Sequence, residues 1–221
     1  MGRRYIPAFL LQGLWLLAPV LAPAQSSLQN FVITRTPRVP LTDTALLASA
    51  GMGEVNNRIA YADGLGRPVQ QVDRLASPSG RDVVSFREYD LNGRQPREYL
   101  PYVPAGAKGT WQDDPLSDLM QFYSAPPQEI APNEKPFRES IFDGSPLNRV
   151  VRQGAPGKDW DVNTGHAQGF DYYPSPEEVP LWIPSPGGAE PAGTYPTASL
   201  MVDQVNDENG NISRQYTDKM G

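Results

Sequence analysis

The residues that could do chemistry are few, and each has a competing reading. His166 is the only histidine in 221 residues. Any Ser-His-Asp triad or histidine-ligated metal would have to use it. It sits in the Gly-flanked stretch "NTGHAQG", and the chain carries no G-x-S-x-G. It is read as a structural or solvent-exposed side chain. Asp207, Asn209 and Asn211, with Asp218 at the twelfth place, imitate a calcium loop. The sixth place of such a loop is Gly, for a sharp turn, and here it is Ile212. A hairpin turn accounts for the same residues, and no metal is expected. Any two of 25 Asp and Glu could converge as a glycosidase pair, but nothing in their spacing singles out two. Trp111, Trp160 and Trp182 sit in or beside loops. They could form a stacking platform for sugars or plug the ends of a sheet, and both readings stay open.

A repeated phrase outweighs these single residues. Asp63-Gly-Leu-Gly66-Arg67 and Asp90-Leu-Asn-Gly93-Arg94 share the form Asp-x-x-Gly-Arg. Ser77-Pro-Ser-Gly80-Arg81 repeats it with Ser in the Asp place. Asp, Asn or Ser at the first place of a type I turn accepts a hydrogen bond from an N–H two residues on. The fourth residue then turns left-handed to rejoin a twisted strand, and Gly does so without the cost of about 1–2 kcal/mol that a β-carbon brings. The phrase is therefore a hairpin loop, with the Arg opening the return strand. It recurs as Asp207-x-x-Gly210 and as Asp218-x-x-Gly221. Repetition argues against catalysis, because a site needs one unusual residue and a scaffold needs the same residue many times. The Asp/Arg pairs are expected to bridge neighbouring hairpins and set register more than stability.

The elements that carry these turns are short strands. The three turns begin at 63, 77 and 90, an even spacing that predicts a β-meander over 55–103. Val55, Asn57, Ile59 and Tyr61 alternate with their neighbours. The stretch 82–89 is β-branched and aromatic. The stretch 68–76 has Val69, Val72 and Leu75 at a spacing that also suits a helix, and is read as strand because two hairpin loops bracket it. An insert over 105–135 contains the one predicted helix, near 114–123. There Asp114 is the N-cap, Pro115 opens the first turn, and Leu116, Leu119, Met120 and Tyr123 form an apolar face. A second β part follows over 137–205. In it 137–157 reads as a hairpin opened by Asp143, with Asn148 in the place Gly holds elsewhere. The Pro/Gly-dense 172–196 reads as an irregular surface loop.

Composition bounds the class. "MGRR", an apolar run and "APA" at 22–24 read as a secretory leader over 1–24, with no membrane span after its removal. Cleavage there takes Lys+Arg from 19 to 17 against 25 acidic residues, a net charge of −8 that makes nucleic acid a poor partner. There is no cysteine, so disulfides, thiol catalysis and lipidation at the cleavage site are all excluded. With 24 Pro and 20 Gly, about a fifth of the chain is turn-forming, against about 12% ordinarily. The expected fold is mainly β: an antiparallel meander of hairpins with one short helix and long Pro/Gly-rich loops.

The phrase Tyr-Asp-x-x-Gly-Arg-x-x-x-x-x-Tyr resembles the YD repeat of RHS-repeat proteins, long secreted or surface-exposed bacterial chains that wind into a β-strand shell. The stretches at 31–39, 59–72, 78–84, 89–103, 145–160 and 207–211 together resemble the domain of unknown function at the N-terminus of such proteins. The resemblance implies a non-enzymatic structural domain, without cofactor, that opens the shell of a polymorphic-toxin-like protein. Its partners would be downstream repeats of the same polypeptide, starting at 206–221 and cut at Gly221. A carbohydrate- or cell-surface-binding β module, with glycans or a surface protein as partner, is the second expectation. A glycan-cleaving enzyme is the third.

Overall fold

The computed structural model describes residues 29–219 except 41, 42, 44, 46, 48–50, 52, 107 and 108. The leader read over 1–24 and the turn glycine Gly221 lie outside the described residues. The elements in order are β1 (Asn30–Pro37), β2 (Val55–Ala62), β3 (Pro68–Asp73), β4 (Val83–Phe86), β5 (Arg97–Tyr99), α1 (Pro115–Ser124), β6 (Phe137–Phe142), β7 (Val150–Gln153), β8 (Gln168–Pro174), β9 (Val179–Ser185), β10 (Gly188–Tyr195), β11 (Met201–Asn206) and β12 (Ile212–Thr217). Every strand pair is antiparallel. One sheet runs β1-β2-β3-β4, a second runs β12-β11-β8-β7-β6-β5, and β9 pairs with β10 alone. Single bridges Arg87–Glu98 and Val84–Tyr102 join β4 to β5 and the residues after it. The chain is thus one meander. Each strand pairs with the next in sequence, except where the β9–β10 hairpin loops out between β8 and β11.

Alternation decides which face of the first sheet is buried. Ile33, Ile59, Val72 and Val84 form one row across its four strands, and Phe31, Tyr61, Gln70 and Phe86 form the next. Helix α1 and the segment before it cover this face, with Tyr102, Leu119 and Tyr123 buried in the same core and Trp111 packed against it. Asp114 caps the helix by accepting from the Ser117 N–H at 3.1 Å, and Pro115 supplies the first-turn backbone. Of the predicted apolar face, Leu119 and Tyr123 are buried while Met120 stays exposed at its rim.

Two polar residues in the core fasten the covering segment. Gln70 is buried in an otherwise apolar row. Its amide donates to the Gln112 carbonyl at 3.1 Å and accepts from the Gln112 N–H at 2.9 Å, so both of its polar atoms are satisfied. Asp82, also buried, accepts from the N–H groups of Leu75 and Gly109. The Gly109 carbonyl takes the Tyr61 hydroxyl at 2.8 Å. Gly109 is held at φ +78, and a β-carbon there would stand 2.9 Å from Ile59 Cδ1 and 3.0 Å from Arg74 Cδ.

Three sequence expectations change. The stretch 172–196 is not an irregular loop: its first residues finish β8, and the rest forms the β9–β10 hairpin. Pro180, Pro184 and Pro191 lie within it, opposite Thr194, Ala189 and Trp182. A two-stranded ribbon consists only of edges, so a residue lacking an N–H is tolerated where it faces solvent. The strand expected over 68–76 stops at Asp73, because Leu75 turns to φ 53 with its N–H on Asp82. β1 was not foreseen as a strand, although its register with β2 runs unbroken from Asn30–Ala62 to Pro37–Val55. The expected 205/206 boundary falls at the end of β11, and β12 pairs with β11 from Met201–Thr217 to Asn206–Ile212.

Replacing Gly109 with Ala forces a side chain into left-handed backbone and against Ile59. The expected loss is about 2–4 kcal/mol, read by chemical denaturation of the folded chain. A loss below about 1 kcal/mol would mean that the Arg74 stem gives way freely.

Candidate functional site

The turns are built as the residue types require. Gly66, Gly80, Gly93 and Gly210 have φ between +67 and +83. In each turn the N–H of this Gly donates to the carbonyl of the first residue at 2.9–3.0 Å, and the first and fifth residues close the pair. Asp63 Oδ1 accepts from the N–H groups of Leu65 and Arg67, and Oδ2 accepts from Arg67 Nε at 2.8 Å. Asp90 does the same with Asn92 and Arg94, its Oδ2 taking Arg94 Nε at 2.7 Å. Asp143 repeats the pattern in a turn two residues longer, with Arg149 as partner and Asn148 at φ 52 in the left-handed place.

The arginines do not bridge hairpins through their carboxylates, which close their own turns. They bridge through the faces of their guanidinium groups. Arg67 Cζ lies 4.2 Å from the Tyr89 ring centre, Arg94 Cζ 4.5 Å from Phe142, and Arg149 Cζ 4.7 Å from Tyr172. Tyr89 immediately precedes Asp90, and Phe142 immediately precedes Asp143. Each turn arginine therefore stacks on an aromatic carried by the next hairpin at the same end of the meander. Arg94 Nη1 also donates to Asn148 Oδ1 at 3.0 Å. The tyrosines reciprocate: Tyr89 donates to the Pro68 carbonyl at 3.0 Å and Tyr172 to the Val150 carbonyl at 3.1 Å. In both cases the acceptor follows the stacked arginine in sequence. The result is a three-rung ladder that ties turn to turn along one edge of the sheets.

The other repeats stand apart from it. A meander alternates its turns between two ends, and those at Ser77 and Asp207 belong to the opposite end. Ser77 Oγ accepts from the Arg81 N–H at 2.8 Å, and Arg81, lacking a carboxylate, donates to the Pro104 carbonyl instead. Asp207 accepts from the N–H groups of Asn209 and Asn211 and from the Asn211 side-chain amide at 2.7 Å. Its oxygens thus serve the turn. Among the described residues no group of three His, Asp or Glu side chains is placed to hold a metal. Asp218 follows β12 and is exposed.

His166 is exposed, 5.2 Å from the Trp160 ring and 3.4 Å from the Glu208 carbonyl. Trp111 meets Tyr61 edge-on at 5.4 Å and belongs to the covered core. Trp160 and Trp182 are 41% and 58% exposed, one at a 3-10 turn (Lys158–Trp160) and the other on β9. Among the described residues the three tryptophans make no ring contact with one another. Two features escaped the sequence reading. Two aromatic partners of the ladder, Tyr89 and Phe142, had a signal, since each stands directly before a turn Asp; Tyr172 had none. The cluster of Lys135, Glu139 and Asp161 had none, because its members are brought together only by the fold.

The four turn carboxyls lie below their ordinary value. At Asp63 and Asp90 desolvation is the largest single influence and pushes upward. The hydrogen bonds from Leu65 and Arg67, or from Asn92 and Arg94, together with the charge of each arginine, outweigh it. The Ser145 hydroxyl leads at Asp143, and the Asn211 amide leads at Asp207.

Fold and ladder together define a β-sheet structural domain with hairpins tied in series. The chain belongs to the family described as Domain of unknown function (DUF6443), which it matches over residues 33–173. The match runs from β1 into β8 and so contains all three rungs of the ladder. No curated protein matches the chain. Among the described residues no helix is long and apolar enough to cross a membrane.

Two outcomes follow from this geometry. A carboxyl held low when folded stabilises above the unfolded pKa, and that stability is lost as pH falls through the folded value. Melting temperature should therefore fall as pH drops below about 4, and the fall should be shallower in Asp90→Asn. Phe142 is the one rung without a hydroxyl. Phe142→Tyr is expected to add a hydrogen bond to the carbonyl after Arg94 and stabilise the chain by about 0.5–1.5 kcal/mol, as measured by denaturant unfolding.

Proposed function

We propose that this chain is a non-enzymatic structural domain that opens a secreted or surface-exposed RHS-type β-shell and is extended strand by strand from β12. The observation that carries the reading is the edge of β12. Among the described residues β12 pairs with β11 alone, and its Ile212 and Tyr216 are 55% and 38% exposed. An open strand edge is a template for the next strand. The serial ladder supports the same reading, since each hairpin offers an arginine and a turn to the hairpin that follows. In sequence, Asp218 and Gly221 repeat the Asp-x-x-Gly spacing after β12. The partner is then the downstream repeats of the same polypeptide, which would cover the edge.

Joining several Tyr-Asp-x-x-Gly-Arg repeats to Gly221 tests this. The extended chain should melt higher and scatter less light on heating than the 221-residue chain. Equal melting and equal aggregation would count against it. The exposure of Trp160 and Trp182 favours a second reading, a carbohydrate- or cell-surface-binding module. Binding to immobilised glycans that disappears in Trp182→Ala would support that reading instead.

A further inference from the structure

The junction of the two sheets holds a group of side chains that the turn ladder does not use. Lys135 directly precedes Pro136 and β6, and its Nζ lies between two carboxylates. It contacts Asp161 Oδ2, and it donates to Glu139 Oε2 at 2.9 Å. Arg97 Nε holds the other oxygen of Glu139 at 3.0 Å. The Phe137 ring centre lies 5.1 Å from Lys135 Nζ and 5.3 Å from Arg97 Cζ. The side chains of Lys135, Glu139 and Asp161 are only 16%, 21% and 21% exposed.

Backbone contacts over-determine this meeting. The Gly154 N–H donates to the Glu139 carbonyl at 2.8 Å, and the Gly157 N–H donates to the Lys135 carbonyl at 2.9 Å. The Ala155 N–H donates to the Trp160 carbonyl at 2.9 Å, folding the loop back on itself. The fit leaves no slack. A β-carbon on Gly154 would stand 2.6 Å from the Trp160 carbonyl oxygen and 2.7 Å from the Val162 nitrogen. Val162 is fully buried. Asp161, between Trp160 and Val162, is thereby fixed against the start of β6.

The remaining oxygen of Asp161 is also occupied. Oδ1 accepts from the Asn163 N–H at 2.8 Å and from Asn163 Nδ2 at 2.9 Å. Two donors thus converge on one carboxyl oxygen while the amine lies against the other. Such donors stabilise the negative charge that develops on a carbonyl oxygen under attack. A lysine amine held against a carboxyl oxygen and shielded from water is kept next to the carbon it would have to attack.

We propose that Lys135 and Asp161 join in an intramolecular isopeptide bond, with Glu139 carrying the protons. Nζ attacks Cγ of Asp161, and the Nζ–Cγ bond forms. The charge that gathers on Oδ1 rests on the two Asn163 donors. Glu139 takes the two protons that the Lys135 ammonium gives up, one after the other, and passes them to Oδ2. The Cγ–Oδ2 bond breaks and Oδ2 leaves as water. An ammonium and a carboxylate become a neutral amide and one water, and neither oxidant nor co-reactant is required. Burial opposes ionisation of Glu139, but its hydrogen bonds from Lys135 and Arg97 outweigh this and hold its pKa below the ordinary value. It is therefore ionised near neutral pH, and its Oε2, already hydrogen-bonded to Nζ, is placed to take a proton from it. In a chain without cysteine the bond supplies a covalent tie between the residues leading into β6 and the 154–162 loop.

Mass spectrometry of the folded full chain decides the matter. The wild type should be lighter than its sequence by one water, about 18 Da, and peptide mapping should yield a branched peptide joining Lys135 to Asp161. Lys135→Met should have its full sequence mass. Asp161→Asn keeps the shape of the site and should lose ammonia, about 17 Da, to reach the same product as the wild type. Glu139→Gln should retain its full mass, or lose water at least tenfold more slowly. A wild-type mass equal to the sequence mass, or a deficit mapping elsewhere, overturns the proposal. Loss of water from Glu139→Gln at the wild-type rate overturns the role of Glu139.

Discussion

The ladder along one end of the meander depends on a carboxylate turned back on its own hairpin. Asp63 and Asp90 each take N–H groups from the second and fourth residues after them, and the guanidinium of the fifth turn residue. Those N–H groups would otherwise be left unpaired at a chain reversal. The same contact fixes the arginine, since a side chain held through Nε has little freedom left at its tip. Because the arginine is fixed, its guanidinium face is presented to the neighbouring hairpin, where Tyr89 or Phe142 receives it. The glycine at the fourth place permits this geometry and the carboxylate selects it.

The ladder and the core do different work. Individually, exposed ion pairs and cation–π contacts are weak. The stability of the first sheet comes from the apolar rows under α1, where Tyr61, Val72, Val84, Phe86 and Leu119 are buried together. An antiparallel strand that slips by one residue turns its apolar side chains to solvent, so the core also defends register. Beyond β6 that defence thins. Val202 is the only buried residue of β7, β8, β11 and β12. There register is held by cross-strand polar contacts such as Gln204 with Asp171, Tyr173 and Arg214. The second sheet is thus the more exposed of the two, whereas the first is packed under α1.

Among the described residues the two sheets are continuous only through β5, three residues long, and two single bridges. That short join explains why so many charged side chains gather there. Arg97 meets Glu139, Arg138 meets Glu98, and Lys135 meets both Glu139 and Asp161. Tyr99 donates to Glu88 and stacks on Phe86 at 4.2 Å; burial and the Glu88 carboxylate raise its hydroxyl pKa to about 12. Where few backbone bonds span a junction, side chains must define the angle between the parts.

By itself the sequence determined whatever is written in local backbone geometry. The Asp-x-x-Gly turns, the Asp114-Pro115 helix start and the left-handed place of Asn148 were legible because each depends on residues at most six apart. The 172–196 stretch was misread for the converse reason. Its prolines forbid a central strand, and nothing nearby reveals that this hairpin pairs only with itself. The tertiary structure alone decided which aromatic each turn arginine meets, that Gly109 enters the core between Tyr61 and Asp82, and that Lys135 lies against Asp161. Those contacts join residues from 22 to 48 places apart. Their geometry depends on how the whole ribbon packs and twists, a property that no short stretch of chain contains.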